Sequence, residues 1–357
     1  MSRKEVFSRL NQILEEHGLD ALLITNLADV WYLTGFRGSE GTVIFSRKAR
    51  WFLTDSRYWE QSKKEVRGFS RKIFQEKIPA IAEILSRLKV KRLGLDSGSV
   101  TYQFYRDLRR SLKGVRFVWL RGIFLELRAK KSPEEIKKIK KAVRIAERAL
   151  ERALVHFRAG VSELDFAGEL EYQMRKAGSG FFPFETIVAS GPRASLPHAK
   201  ATKKKIKKGE LVVIDFGANF DGYYSDLTVT ICAGEPKKKA LEIYQIVAQA
   251  QKLAISKIAP GALAKEVDAQ ARAYIKSKGY GRYFQHGLGH GLGLAVHELP
   301  SIHPKSKMVL EPGMVFTIEP GIYLPGEIGV RIEDDVVICD NKVQVLSHSN
   351  QSLRIFE

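Results

Sequence analysis

Four carboxylic acids and three histidines lie in three short stretches of the second half of the chain. The first stretch holds Asp215 and Asp226 in apolar runs that predict a strand, a turn and a second strand. A four-residue loop over 219–222 would place the two aspartates directly opposite each other. Like charges opposed in a sheet are destabilising, and their burial costs further free energy. A divalent cation between the two carboxylates would remove both problems.

A second predicted hairpin repeats this arrangement. Glu319 ends one apolar strand, and Glu333 lies within the next. The acids that follow, Asp334 and Asp335, are equally typical of a surface and are predicted to lie there. A single aspartate of the first hairpin would by itself be interpreted as a turn or surface residue, so the opposed pair is what favours a metal site.

Three of the eight histidines fall within twelve positions between the two hairpins. His286, His290 and His297 are interspersed with glycines, which permit close backbone approach. These glycines do not follow the strand–turn–helix order of a dinucleotide-binding fingerprint. One histidine here would most often be structural. Three histidines beside four strand-borne carboxylates indicate metal-ligand and acid–base roles.

The predicted ligand set is rich in oxygen. One histidine with four carboxylates suits Mn, Co, Zn or Fe with five or six ligands better than a thiolate-bound structural zinc. Five ligands are too many for one catalytic zinc ion. They suit two divalent ions about 3.5–4 Å apart that share carboxylates and activate a water molecule.

The first third of the chain alternates between predicted strands and helices and is typical of an α/β domain. Strands are expected over 19–25, 41–45, 51–54 and 92–96, and a helix over 78–88. Ser132 and Pro133, followed by two glutamates, predict the start of a long amphipathic helix that runs to about residue 157. We therefore place the domain boundary between residues 125 and 126, with domains over 1–125 and 126–357.

The second domain is predicted to be α+β on an antiparallel sheet, because its strands and helices fall in separate blocks. Strands are expected over 211–216, 223–231, 314–319 and 329–338, and helices over 162–177, 237–257 and 264–278.

The composition is that of a soluble, strongly basic protein. The 357 residues carry a formal net charge of +19. The lysines are spread in short runs with few aromatics between them, so we expect a solvated basic surface and no specific nucleic-acid partner. No apolar run approaches the roughly 20 residues that span a bilayer, and the N-terminus predicts an amphipathic helix, not a signal peptide. We expect a cytoplasmic protein without a membrane partner, in which Cys232 and Cys339 are free, buried thiols.

Five motifs in this order resemble those of the metallopeptidases with the "pita-bread" fold. They are Asp-Phe-Gly at 215–217, Ser-Asp-x-Thr at 225–228, Gly-His-Gly at 289–291, Glu-Pro-Gly at 319–321 and Arg-Ile-Glu-Asp at 331–334. The segments 31–39 and 54–58 resemble the first domain of aminopeptidase P and of Xaa-Pro dipeptidase (prolidase). The resemblance covers nearly the whole chain and implies an α/β N-terminal domain followed by an α+β pita-bread metallopeptidase domain.

The resemblance also implies a role for each motif residue. Asp215 would bind one ion, Asp226 and Glu333 would bind both, and His290 and Glu319 would bind the other. Glu319 would also act as general base. The remaining implied active-site residues are His198, His286, His297, Tyr323 and Arg331, of which Tyr323 and Arg331 would hold Asp215 in place.

The implied activity is hydrolysis of Xaa-Pro bonds at the N-termini of proline-containing peptides by two divalent ions. Mn or Co is expected in preference to Zn or Fe, and the resemblance implies a homodimer. A dipeptidase is favoured over an Xaa-Pro aminopeptidase or a broader aminopeptidase. Val229 and Ser301 replace arginines that are common in the family, and the arginine at the second position binds the dipeptide carboxylate in many prolidases. The alternative of a different class is a non-catalytic pita-bread module that binds through its basic surface.

Overall fold

A computed structural model describes residues 3–348 and 352–357. The chain divides into two compact units, Met1–Leu127 and Arg128–Glu357. This division lies two residues beyond the boundary expected from the sequence.

The first unit is built on a six-stranded mixed sheet with the strand order β4-β3-β2-β1-β5-β6. Its strands are β1 (Ala21–Ile24), β2 (Thr42–Ser46), β3 (Arg50–Asp55), β4 (Ser70–Phe74), β5 (Arg92–Asp96) and β6 (Arg116–Leu120). The helices of this part of the chain are α1 (Arg3–Glu16), α2 (Leu27–Thr34), α3 (Trp59–Glu65), α4 (Lys77–Arg87), α5 (Tyr102–Ser111) and α6 (Ile123–Ala129). Two hydrophobic clusters, one with α1 and one with α4, include alternate residues of β1 and so sandwich the sheet. The predicted α/β class is confirmed.

The second unit has a four-stranded sheet, a five-stranded sheet and two short ribbons. Its helices are α7 (Pro133–Leu154), α8 (Glu163–Lys176), α9 (Lys238–Lys257) and α10 (Ala264–Ser277). The four-stranded sheet has the order β19-β11-β8-β7 and contains β7 (Ile187–Ser190), β8 (Glu210–Phe216), β11 (Leu227–Ala233) and β19 (Arg354–Phe356). The five-stranded sheet has the order β13-β12-β14-β17-β18 and contains β12 (Gly289–Gly291), β13 (Glu298–Ile302), β14 (Val315–Ile318), β17 (Asp334–Ile338) and β18 (Val343–Val345). The ribbons are β9 (Asn219–Phe220) with β10 (Tyr223–Tyr224), and β15 (Gly321–Leu324) with β16 (Ile328–Arg331).

Helix α7 begins where the sequence predicts. The Ser132 hydroxyl accepts a hydrogen bond from the Glu135 backbone N–H, and the Glu135 carboxylate accepts one from the Ser132 N–H, which completes a capping box. The helix ends at Leu154, three residues before the expected end.

Alternation along β14 separates the hydrophobic core from the site. Phe316 and Ile318 are fully buried in a cluster with residues of α9 and α10. Thr317 and Glu319, which point to the opposite side of the strand, contact polar groups instead. One face of the five-stranded sheet is therefore core, and the other presents ligands.

The register predicted for the first carboxylate hairpin is wrong. Its loop has two residues, Asp221 and Gly222, both with positive φ (52° and 82°), and not four. Asp215 therefore pairs with Thr228, two positions beyond the predicted partner Asp226. Asp-Gly at the centre of a two-residue turn is favoured because both residues tolerate positive φ, and this turn sets the register.

The second hairpin is interrupted at its centre. β14 pairs with β17 and β15 pairs with β16, so Glu319 and Glu333 lie in the breaks between the two ladders. Glu333 was predicted within a strand; instead it forms an isolated bridge with Thr228 of the other sheet. Asp334 and Asp335 were expected at the surface, and both are buried. That expectation is wrong because β17, the strand that carries them, lies between β14 and β18 in the five-stranded sheet.

Both cysteines are free thiols, but only Cys232 is buried; the expectation is wrong for Cys339, which is half-buried because it follows the last residue of β17. Within the described part of the chain, no helix is long and apolar enough to cross a membrane.

Candidate metal centre

A cavity of about 580 Å³ in the second unit is lined by every residue that the sequence analysis selected. These ten metal-ligand and active-site candidates are His198, Asp215, Asp226, His286, His290, His297, Glu319, Tyr323, Arg331 and Glu333. They come from both sheets, from the β15–β16 ribbon, from the breaks in the second hairpin and from the connecting loops. The cavity therefore collects the candidate ligands and the candidate acid–base groups at one place.

Three of the five proposed ligands form a compact group. Ligand atoms of Asp226, His290 and Glu333 all lie within 4.8 Å of one another. Glu319 extends the group, with its Oε1 3.5 Å from His290 Nε2. Asp215 lines the same cavity but lies outside this compact group. A group of this size leaves space for an ion between the side chains.

His290 is oriented to offer Nε2 to an ion. Its Nδ1 lies 3.2 Å from the Gly291 carbonyl oxygen, to which a protonated Nδ1 donates. Nε2 then keeps its lone pair and lies 3.6 Å from Asp226 Oδ2. Burial lowers the pKa of His290 to about 4, so the ring is neutral near pH 7. A ring N–H that donates to a backbone carbonyl is the usual support of a metal-binding histidine.

The glycines on both sides of His290 are required by backbone packing. A Cβ at Gly289 would lie 1.9 Å from the Thr317 carbonyl oxygen, and one at Gly291 would lie 2.1 Å from the Leu299 carbonyl oxygen. The Gly-His-Gly motif therefore lets β12 fit between its two neighbouring strands while His290 faces the cavity.

The clustered carboxylates repel one another in the absence of a cation. Burial raises the pKa of Asp226 and of Glu333 well above the usual range, and neighbouring carboxylates raise both further. Burial also raises the pKa of Glu319 to about 8, although Arg331 opposes the shift. Asp215 Oδ1 is buried and accepts no hydrogen bond from the described residues. Divalent cations would supply both the missing charge and the missing partner, so the residues fit a metal centre.

Arg331 fixes the position of the Asp215 carboxylate through a hydrogen bond. One guanidinium nitrogen lies 2.6 Å from Asp215 Oδ2, and another donates to the Tyr323 hydroxyl oxygen at 3.0 Å. Its Nε donates to the Thr228 hydroxyl, which in turn donates to Glu333 Oε2 at 2.6 Å. A single buried guanidinium thus orients Asp215 directly and Glu333 through one hydroxyl.

Two further residues of this hydrogen-bond network were not singled out from the sequence. Thr228 is the last residue of the Ser-Asp-x-Thr motif, and its place in that motif, two positions after Asp226, was the available signal. Asp335 Oδ2 accepts the Asp226 backbone N–H at 3.1 Å. Nothing in the sequence distinguishes Asp335 from a surface acid, because its burial depends on the packing of β17.

His286 is fixed as a neutral acceptor. Its Nδ1 lies 2.8 Å from the Gly287 carbonyl oxygen, and its Nε2 lies 3.1 Å from the Tyr323 hydroxyl. Burial lowers its pKa to about 4. Nδ1 therefore carries the proton, and Nε2 accepts the hydrogen bond from Tyr323.

His198 and His297 lie at the wall of the cavity. His198 follows Pro197, whose carbonyl oxygen accepts a hydrogen bond from Arg331 at 3.0 Å. The His297 ring lies 4.2 Å from the His290 ring, centroid to centroid, and burial lowers its pKa. Both imidazoles are placed to contact a molecule that occupies the cavity.

Ser301 also lines the cavity, on the strand next to the candidate ligands. It pairs with His290 in the β12–β13 ladder, so the two side chains share one face. Lys200 lines the cavity too, with its ammonium 2.9 Å from the Glu185 carboxylate. Ser301, which the resemblance contrasts with an arginine, therefore lies close to the candidate ligands and carries a hydroxyl.

Two family models match the chain. The model of metallopeptidase family M24 matches residues 137–340, and the model of the creatinase/prolidase N-terminal domain matches residues 7–130. Together they cover most of both compact units.

Similar proteins include two dipeptidases and an aminopeptidase. The chain is 39% identical over 352 residues to an Xaa-Pro dipeptidase of Pyrococcus horikoshii, with 98% of each chain covered. A solved Xaa-Pro dipeptidase from Bacillus anthracis has a TM-score of 0.96 and 41% identity, covering 99% of this chain and 100% of that one. A solved X-Pro aminopeptidase from Thermotoga maritima has a TM-score of 0.90 and 39% identity, with 98% and 99% covered.

Proposed function

Because the chain belongs to metallopeptidase family M24, we propose that it hydrolyses Xaa-Pro bonds at the N-termini of peptides, with dipeptides as preferred substrates. The observation that carries this proposal is the convergence of four carboxylates and His290 on one cavity, beside further histidines. The names of the similar dipeptidases support the Xaa-Pro specificity.

We propose Mn or Co as the ions, held by Asp215, Asp226, His290, Glu319 and Glu333. Four carboxylates and one neutral imidazole form the oxygen-rich set that such ions accept. When bound, two ions would polarise the peptide carbonyl and acidify water.

The side chains around the ligands would complete the reaction. The Glu319 carboxylate would accept a proton from the attacking water, since cations nearby would lower its raised pKa and leave it ionised. A protonated ring nitrogen of His297 would donate to the carbonyl oxygen as negative charge develops there. His198 would contact the substrate from the same wall. Arg331 and Tyr323 keep Asp215 in place throughout.

Two other functions also have observations in their favour. An Xaa-Pro aminopeptidase is favoured by Ser301, which gives a dipeptide carboxylate no cation at that position, and by the aminopeptidase among the similar structures. A non-catalytic module that binds nucleic acid is favoured by the lysines along α7, such as Lys137 and Lys141 beside Phe220. A complete ligand set would have no use in such a module.

Purified protein should hydrolyse Xaa-Pro dipeptides when supplied with Mn or Co, and chelation should abolish turnover. The assay compares Xaa-Pro, Xaa-Pro-Yaa and Xaa-Ala peptides with each ion, following release of the N-terminal residue. Equal rates in metal-free protein would contradict the metal-centre proposal. Equal rates on Xaa-Ala peptides would indicate a broader aminopeptidase, and no hydrolysis of any peptide would favour the binding module.

Ser301→Arg should lower the KM for dipeptides and leave kcat largely unchanged. An arginine beside His290 would give the substrate carboxylate a charge-assisted hydrogen bond in place of a single hydroxyl. Binding that improves equally in the ground state and in the transition state lowers KM and leaves kcat unchanged. Rates on Xaa-Pro-Yaa should stay the same or fall. Ser301→Gln, which adds bulk without charge, is the matched control.

A wild-type protein that binds dipeptides tightly and refuses tripeptides would contradict this account of Ser301. In that case another cation of the cavity, such as Lys200, must bind the carboxylate.

We further propose that the protein is a cytoplasmic homodimer. Its free thiols are typical of a reducing compartment. The dimer rests on the resemblance, and light scattering during size-exclusion chromatography tests it directly.

A further inference from the structure

We propose that a buried ion cluster of Arg128, Lys131 and Glu298 positions His297 in the cavity. The three residues do not line the cavity themselves, so they are positioning residues and not catalytic ones. The inference rests on the proposed function, since His297 matters only if the cavity hydrolyses a substrate.

The cluster combines one anion with two cations, all withdrawn from solvent. The exposed fraction of the side chain is 1% for Glu298, 1% for Lys131 and 5% for Arg128. Lys131 Nζ lies 3.2 Å from Glu298 Oε2, and Arg128 Nε donates to Glu298 Oε1 at 3.1 Å, with a second guanidinium nitrogen on the same oxygen. Both cations therefore act on a single carboxylate.

That carboxylate organises the loop that carries His297. Glu298 follows His297 directly as the first residue of β13, and its Oε1 also accepts the Ala295 backbone N–H at 2.9 Å. Gly293 lies against the other carboxylate oxygen, since a Cβ there would come within 2.7 Å of Oε2. The loop between β12 and β13 is thus wrapped around the Glu298 side chain, which fixes the backbone on both sides of His297.

The segment that supplies the cations is itself fixed. Lys131 donates its backbone N–H to the Gly313 carbonyl oxygen at 2.8 Å, and its ammonium donates to the Ala129 carbonyl oxygen at 3.3 Å. Burial alone would raise the pKa of Glu298, but Lys131 and Arg128 lower it below its usual value, so the carboxylate is ionised. The loop is therefore held by charge against a segment that is itself fixed by hydrogen bonds.

Stability alone does not explain such a cluster. Removal of charges from water is costly, and well-packed apolar residues in their place are often as stabilising or more so. A cluster of charged groups fixes the geometry of the chain around it, and here the chain includes His297, the residue before Glu298. Displacement of a catalytic group by about 1 Å costs up to roughly 100-fold in rate.

Lys131→Met tests the proposal, because it removes one cation and leaves the Arg128–Glu298 pair intact. We expect kcat on an Xaa-Pro dipeptide to fall about 10- to 100-fold, with little change in KM and an unchanged metal content. Lys130→Met is the matched control, since the neighbouring Lys130 pairs with Glu311 at a half-exposed site and should keep wild-type kcat.

A double-mutant cycle with His297→Ala separates positioning from a general structural effect. If the cluster acts through His297, Lys131→Met should reduce kcat no further once that ring is absent. Multiplied losses in the double variant would overturn the proposal, and so would wild-type kcat in Lys131→Met.

Histidine NMR gives a readout that does not depend on hydrolysis. The Cε1–H cross-peak of His297, assigned by its loss in His297→Ala, should shift in Lys131→Met and stay in place in Lys130→Met. If wild-type protein hydrolyses no peptide but the peak still shifts in Lys131→Met, only the proposed function is contradicted. If the peak does not move, the positioning role is overturned. If Lys131→Met does not fold, Arg128→Lys, which keeps both buried cations, is used in its place. The His297 peak should again shift, and an unmoved peak would again overturn the positioning role.

Discussion

Asp226→Asn should lose at least one metal ion and nearly all peptide hydrolysis. The Asp226 carboxylate belongs with His290 and Glu333 to the compact group of ligand atoms, and its Oδ2 lies 3.6 Å from His290 Nε2, so its loss should disrupt the ligand set directly. An amide offers one neutral oxygen in its place. Loss of an ion removes several kcal/mol of transition-state stabilisation, which corresponds to a rate loss of roughly 1000-fold or more. Metal analysis and kcat measured on the same preparation check the result.

The metal-free Asp226→Asn protein should remain folded. Burial, Glu333 and further neighbouring carboxylates raise the pKa of Asp226, which means that its ionised form is disfavoured in the metal-free site, and a neutral amide removes that cost. Its thermal midpoint should equal or exceed that of metal-free wild type. Asp221→Asn in the same hairpin is the control, since asparagine tolerates the positive φ of that turn position and should keep both ions and full activity. Two bound ions and a normal rate in Asp226→Asn would disprove the ligand role.

Glu319→Gln should lower kcat by roughly 100- to 10,000-fold, the range that a general base contributes. The amide keeps an oxygen near His290 Nε2 but cannot accept the proton of the attacking water. We therefore expect at least one ion to remain bound while turnover nearly ceases. Metal content and single-turnover rates distinguish this result from simple loss of a ligand.

Glu327→Gln provides the comparison for Glu319→Gln. Glu327 lies at the turn between β15 and β16, where it pairs with Lys239 in an exposed ion pair. Exposed pairs of this kind contribute little free energy, so rate and stability should stay at wild-type values. Substantial turnover in Glu319→Gln would show that another group accepts the proton, and His297 would be the next candidate.

The candidate ligands could be predicted because their chemistry is visible locally. A carboxylate in an apolar strand, such as Asp215, is costly unless something compensates for it, and the same conflict recurs at Glu319. The histidines between glycines added a second, independent signal. Residue type and context were therefore sufficient to select side chains that the structure brings to one cavity.

The geometry of the first hairpin could not be predicted with the same success, although one signal was available. Asp221 and Gly222 form an Asp-Gly pair, which strongly favours a two-residue turn over the four-residue loop we expected. The shorter turn moves the partner of Asp215 from Asp226 to Thr228. Because Asp226 reaches the site from outside the ladder, the two carboxylates meet around the cavity and not across a strand pair.

Other features depend on tertiary packing and had no local signal. Asp335 looks like a surface residue until β17 is enclosed between β14 and β18. Glu298 lies 170 positions from Arg128, and no spacing rule connects them. Long-range ion pairs of this kind become visible only when the fold is known.

The ion cluster also determines where the chain can be divided. Helix α7 begins at Pro133 with its own cap, and residues from that point onward include the whole cavity lining. A fragment that starts there would nevertheless leave the buried Glu298 carboxylate without its two counter-charges, since Arg128 and Lys131 both precede the helix. The smallest autonomous catalytic fragment must therefore begin no later than Arg128, five residues before its first helix.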